Sequence, residues 1–157
     1  MNLIDLNPDE CEELLQAGHY GHLGCGAEGD IYVLPITYIY RDKSLYSHTS
    51  EGQKINIMRK NPRVCVQFEK VRTGNDWESV ICWGRFEEVT DPEQIKEIHL
   101  ALAQQYGRIA MEGGNQSIVS PLITDLGQVD KTKPADVIYR IAIEHMTGKA
   151  QRPHSAK

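Results

Sequence analysis

The chain has 157 residues, enough for one domain of ordinary size and too few for two. Apolar residues make up 40% and charged residues 25%, the balance of a water-soluble globule, and a net charge of −5 argues against a general nucleic-acid binder, which needs a basic face. No apolar run approaches the roughly 20 residues of a membrane span, and the N-terminus lacks the basic start and long apolar run of a signal peptide, so a cytoplasmic protein is expected.

The first element reads as a short helix. Asn7 is placed as N-cap, Pro8 as N1 and Glu10 as N3, a variant of the capping box. Leu6 and Cys11 flank the cap as a hydrophobic staple, Cys11, Leu14 and Leu15 form one apolar face, and Gly18 ends the helix. Strands follow over residues 20–25, 31–40 and 45–48, joined by turns at 26–30 and 41–44. A helix is expected from Ser50 to about Lys60, because Asn61 precedes Pro62 and is pushed out of helical geometry. Two long strands, 64–71 and 77–89, turn at Gly74-Asn75. Asp91-Pro92 opens a further helix with Ile95, Ile98, Leu102 and Tyr106 on one face, and Gly107 is placed to stop it. Residues 108–134 are poorly patterned and read as a functional or partner-contacting loop. The last strand spans 137–146, and a polar tail beginning at Gly148 is expected to be disordered. Hairpins outnumber crossover helices, which favours a mainly β, α+β antiparallel barrel with short peripheral helices over a doubly wound sheet. Gly24-Cys25-Gly26-Ala27-Glu28-Gly29 has the letters of a dinucleotide fingerprint, but a strand rather than a helix follows it.

Cys11, Cys25, Cys65 and Cys82 form no Cys-x-x-Cys pair, and none has a histidine at finger spacing. They read as buried thiols of a reducing compartment, and no metal site is expected.

The run Ser47-His48-Thr49-Ser50-Glu51-Gly52-Gln53-Lys54 carries the most chemistry. It is a strand end running into a helix start, with Ser50 and Gln53 at capping-box spacing. Helix-start amides favour anions, Lys54 adds a full charge, Thr49 and Ser50 add hydroxyls, and Gly52 lets a ligand approach the backbone. The set suits a terminal phosphate, although an ordinary capped helix carries the same letters. Upstream, Pro35 in the β-rich run Val33-Leu34-Pro35-Ile36-Thr37-Tyr38 cannot donate to a ladder. That strand therefore lies at an edge, a bulge or a break, with main-chain groups open to a flat, polar-edged ring.

These segments resemble the flavin-binding split-barrel proteins related to pyridoxamine 5′-phosphate oxidase, and within them the nitroimidazole-reductase branch. The resemblance covers residues 8–148. It is carried by Leu45 to Lys54, by Asn61-Pro62-Arg63-Val64-Cys65-Val66, by Trp77 to Glu87 and by Ile141 to Lys149. It implies an antiparallel split β-barrel, one domain over residues 1–148 with residues 149–157 as tail, and FMN held between the subunits of a homodimer. The flavin edge would lie along Pro35, Ile36, Thr37 and Tyr38. Its phosphate and ribityl chain would be held by His48, Thr49, Gln53 and Lys54, in keeping with the phosphate reading of Ser50 and its neighbours, and Ser79 would reach the flavin from the next long strand. His48 would be the catalytic proton donor, since imidazole titrates near neutrality. The implied activity is FMN-dependent reduction of a small planar acceptor of the nitroaromatic class, with Tyr38, Tyr40 and Trp83 as candidate walls. Two alternatives stay open: a haem-binding or haem-handling protein with His48 or His145 at the iron, and a flavin-binding protein without turnover. Arg152-Pro153-His154 carries the letters of the oxidase's substrate motif but falls in the tail, so pyridoxamine oxidation is not expected.

Overall fold

The computed structural model describes residues 3–113 and 136–153. In chain order the elements are β1 (Leu3–Leu6), α1 (Pro8–Ala17), β2 (Tyr20–Ala27), β3 (Asp30–Thr37), β4 (Ile39–Arg41) and β5 (Ser44–Ser50). Then come α2 (Gln53–Lys60), β6 (Arg63–Thr73), β7 (Asp76–Glu88), α3 (Pro92–Gly113) and β8 (Asp136–Gln151). Every strand pair is antiparallel, in the order β3-β2-β6-β7-β8-β5-β4, with β1 added on β8. The architecture is the expected antiparallel split β-barrel.

The split is visible in β8. Its 16 residues pair with β7 along nearly their whole length. On the other edge, residues from Asp136 to Ala142 pair with β5, and those from Gly148 to Gln151 pair with β1. Tail residues expected to be disordered are therefore strand: Ala150 is fully buried and Lys149 forms an ion pair with Asp5. The reason is pairing on both edges, with β7 on one side and β1 on the other, which local composition does not reveal. Residues 154–157 and most of the expected loop, residues 114–135, lie outside the described residues.

Local signals set the element ends. The Asn7 side chain accepts from the Glu10 amide, and Glu10 accepts from the Asn7 amide, both at 2.9 Å, so the expected capping box is present. Asp42 and Lys43 both take positive φ, the two-residue turn whose twist matches a hairpin. The expected strand 31–40 breaks at Tyr38, whose fully buried ring places its hydroxyl on the Leu15 carbonyl. Asp91 caps α3 through the Gln94 amide, but Gly107 does not end it. The helix runs 22 residues to Gly113, so it is not short. One glycine costs a helix only about 1 kcal/mol, and the Ile98, Leu102 and Tyr106 face is buried against Tyr46 and Ile138.

Strand alternation sorts the core into layers. Leu45, Val137, Tyr139 and Ile141 face the barrel interior with Leu23, Val66, Ile55 and Met58. Tyr46 and Ile138 face the opposite way, toward α3. A third layer packs α1, through Cys11, Leu14 and Leu15, on Val80, Cys82 and Ala150. All four cysteines are free. Among the described residues no helix is long and apolar enough to cross a membrane, and no cluster of side chains could hold a metal ion.

Candidate functional site

The strand end and helix start picked out by the sequence do meet, but not by the expected cap. Ser50 is the last residue of β5 and pairs with Asp136 in the ladder. It is therefore committed to the sheet and stands three residues before α2, too early to cap it. Gly52 is the N-cap, in extended backbone, and no side chain among the described residues bonds to the first turn. The amide end of an eight-residue helix is thus left without a side-chain acceptor.

Lys54 is half-buried on the first turn of α2 and makes no ion pair among the described residues. Burial lowers its pKa, while electrostatic interaction with the Cys25 thiol raises it slightly. Burial in turn raises the Cys25 pKa, and Lys54 opposes that shift. An ammonium partly out of water with no carboxylate beside it is a favourable place for an anion. Thr49 lies on the same side of β5 as Ser47 and opposite Val137, toward the barrel interior. Ser47 donates from Oγ to the Thr37 carbonyl at 2.7 Å, tying β5 to the end of β3. Gln53 and Ser50 are exposed at the mouth of this corner.

His48 faces the other way. It pairs with Ile138 and shares a face with Tyr46, on the α3 side. Its ring meets the edge of His99 from α3, with centroids 5.3 Å apart and planes at 64°. Adjacent strand residues point to opposite faces, so Thr49 and His48 do not form the single cluster that their adjacency suggested.

The strand expected to border a flat ring is an edge strand, one of the positions that Pro35 left open. Its side chains divide: Ile36 and Tyr38 are buried in the core, whereas Pro35 is exposed and Thr37 half-buried. Thr37 Oγ1 is hydrogen-bonded to the Tyr106 hydroxyl of α3, a partner the sequence had placed only on a packing face. The three candidate aromatic walls separate as well. Tyr38 is core, Tyr40 donates to Glu12 at 2.8 Å, and Trp83 stacks on His145 at 5.3 Å. Ser79 accepts from Gln67 at 3.1 Å. Register links Gly24 to Cys65 and Cys65 to Trp83, so Ser79 lies about 16 Å along β7 from the stretch level with Cys25 and Lys54. A cleft of about 740 Å³ opens elsewhere, between α1, β4 and α3; Gln16, Arg41, Gln104 and Arg108 line it, and of the expected residues only the candidate wall Tyr40 does.

Sequence reasoning missed Arg59. Its guanidinium donates to Glu51 at 2.7 and 2.8 Å and to Glu88 at 2.5 and 3.1 Å, fastening the bend before α2 to the end of β7. The only available signal was the eight-residue spacing from Glu51, which is unremarkable in a sequence.

Residues 7–150 match the family model described as pyridoxamine 5′-phosphate oxidase. The chain belongs to the pyridoxamine 5′-phosphate oxidase-like family. An uncharacterized protein of Rhizobium meliloti strain 1021 is 34% identical over 148 residues, covering 92% of this chain and 93% of that protein. The crystal structure of an FAD-binding protein from Mesorhizobium loti is 31% identical, covers 97% of this chain and 100% of its own, and superposes with a TM-score of 0.74. A candidate 5-nitroimidazole antibiotic resistance protein from Bacteroides thetaiotaomicron shares the fold at 22% identity and a TM-score of 0.67, covering 95% of this chain and 87% of its own.

Proposed function

We propose that this chain is a flavin-dependent oxidoreductase that holds FMN and passes electrons to a small planar acceptor of the nitroaromatic class. The observation that carries the reading is Lys54: a half-buried ammonium with no ion pair among the described residues, at a helix start that no side chain caps. That donor set fits a phosphate ester. Lys54 supplies charge, the first-turn amides supply N–H donors, and Thr49, Ser50 and Gln53 supply polar groups around them. The outer main-chain edge of β3 about Pro35 and Ile36 would serve the ring, since the Tyr38 amide is already bonded to the His19 carbonyl. The Mesorhizobium loti relative, which binds FAD, supports a flavin in the same fold. When bound, a flavin supplies the electron-transfer chemistry, and the chain's part is to hold, orient and shield it.

Ser79 shares the outer sheet face with Trp83, whereas Thr49 beside Lys54 faces the interior, so a second copy is the simpler way to bring both to one flavin. The outer sheet face offers a place for one. Val33, Gly24, Cys65, Trp83 and His145 follow one another across five strands by register. Val33 is 65% exposed and its strand neighbour Ile31 is 87% exposed. We assign this face to a homodimer. The purified full-length protein is expected to be yellow, to sediment at twice the chain mass, and to release FMN on denaturation. A colourless protein that takes up neither FMN nor FAD would overturn the reading. A Soret band would replace it with the haem alternative, and released FAD would correct the cofactor.

In this reading His48 is the proton donor only for a ring that reaches the α3 side of β5, because it faces away from Thr49 and rests against His99. His48→Ala is expected to keep its flavin and to lose about 100-fold in nitro-group reduction by dithionite-reduced protein. Unchanged turnover would remove His48 from the chemistry, and bound flavin without turnover even in the parent protein would favour a non-enzymatic role.

A further inference from the structure

Thr49 and Lys54 are separated by a bend, and the bend contains a negative charge. Glu51 directly precedes Gly52, the N-cap of α2. A carboxylate at a helix start is itself favoured by the amide end, and it repels any other anion placed there. Glu51 is also firmly ionised, because hydrogen bonding from Arg59 lowers its pKa. An acidic residue next to a phosphate site is therefore a conflict that the fold must settle.

The fold settles it with a fork. Arg59, near the end of α2, turns back toward the bend and takes both Glu51 oxygens, at 2.7 and 2.8 Å. Its remaining edge is held by Glu88, the last residue of β7, at 2.5 and 3.1 Å. Planar guanidinium is suited to two carboxylates at once; an ammonium cannot reproduce that geometry. The end of α2 is anchored further by Lys60 on Glu28 and by Asn61 on the Gly26 carbonyl, at 3.0 and 2.7 Å. The fork thus rests on a fixed base, and Glu51 makes no bond to the first turn of α2.

We propose that Arg59 is a positioning residue for the anion corner: it holds the Glu51 carboxylate off the start of α2 and so leaves Lys54 and the first-turn amides to a phosphate. The inference rests on the flavin phosphate reading given above. It differs from a simple structural clamp in one respect. A clamp needs Glu51 as much as Arg59, whereas a charge shield makes Glu51 harmful once Arg59 is gone.

The test is a double-mutant cycle in the full-length protein, stripped of flavin and titrated with FMN and with riboflavin, which lacks the phosphate. Arg59→Met is expected to weaken FMN about ten-fold while leaving riboflavin unchanged. Glu51→Gln alone is expected to bind FMN as well as the parent or tighter. The double variant Arg59→Met/Glu51→Gln is expected to return to within about two-fold of the parent. Arg59→Lys, which keeps the charge and loses the fork, gives the same ordering with a smaller loss, and it stands in if Arg59→Met fails to fold. The proposal is overturned if Glu51→Gln weakens FMN as much as Arg59→Met and the double variant is no better than either. It is also overturned if FMN and riboflavin weaken together. A parent protein that binds neither compound overturns the flavin reading itself, and a parent that binds FMN alongside unaffected variants overturns only the role of Arg59.

Discussion

Lys54→Met is expected to lose about 30- to 100-fold in FMN affinity, the value of a charge-assisted contact to a phosphate. Methionine keeps the length and the apolar stem, so the loss isolates the ammonium. The same substitution is expected to leave the flavin-free fold no less stable than the parent, because it removes a charge that burial disfavours. The sign follows from the direction of the Lys54 shift. Burial sets its folded pKa below the ordinary 10.5, so between those two values the unfolded chain holds more protons than the native one. Stability of the flavin-free parent therefore carries its full penalty below the folded pKa and rises as pH climbs from there toward 10.5. Lys54→Met lacks that alkaline gain. FMN affinity runs the other way and falls in the parent as the ammonium deprotonates. Denaturant unfolding and FMN titration at neutral and alkaline pH measure both trends. Parent-like flavin retention in Lys54→Met would remove the ammonium from the site and the phosphate reading with it.

Gly84→Ala is expected to be the most damaging single methyl group, costing about 3 kcal/mol or more in urea unfolding. Gly84 is buried at the irregularity where β7 shifts register against β8, between Trp83 and Gly84. A Cβ there would stand 2.3 Å from the Ala142 carbonyl oxygen and 3.0 Å from its carbon. Those atoms belong to a paired strand and cannot rotate aside as a side-chain tip can. Gly107→Ala is the contrasting control: nothing lies within 4 Å of its Cβ, and its position inside α3 favours alanine. It is expected to gain about 0.5–1 kcal/mol. Equal stabilities for the two variants would mean that the β7–β8 register is wrong.

What could be read in the sequence was local. The Asn7 box, the two-residue turn at Asp42-Lys43 and the apolar face of α3 each depend on residues within a turn or two of one another, and each is present. Pro35 narrowed its strand to an edge, a bulge or a break, and the edge is the one that β3 adopts. Misreadings came where a distant partner decided the outcome. Ser50 looked like a cap until pairing with Asp136 took it into the sheet. Gly107 looked like a stop until burial of Tyr106 and its neighbours carried the helix through. The chain's last strand extended past Gly148 because β1 was waiting for it, and β1 itself offered only four residues of signal. In the candidate site, Lys54 and Thr49 could be named from the sequence. The separation of His48 from Thr49 follows from strand alternation, and the Arg59 fork was out of reach because it joins three elements.

The 16-residue strand shared by three neighbours has a consequence for biosynthesis. Leu3 pairs with Gln151, so everything between them must leave the ribosome before β1 finds its place. Until then the β5 and β7 edges stand open and the interior is exposed to solvent. Closure depends on contacts of very long sequence separation, the kind that makes β proteins slow to mature.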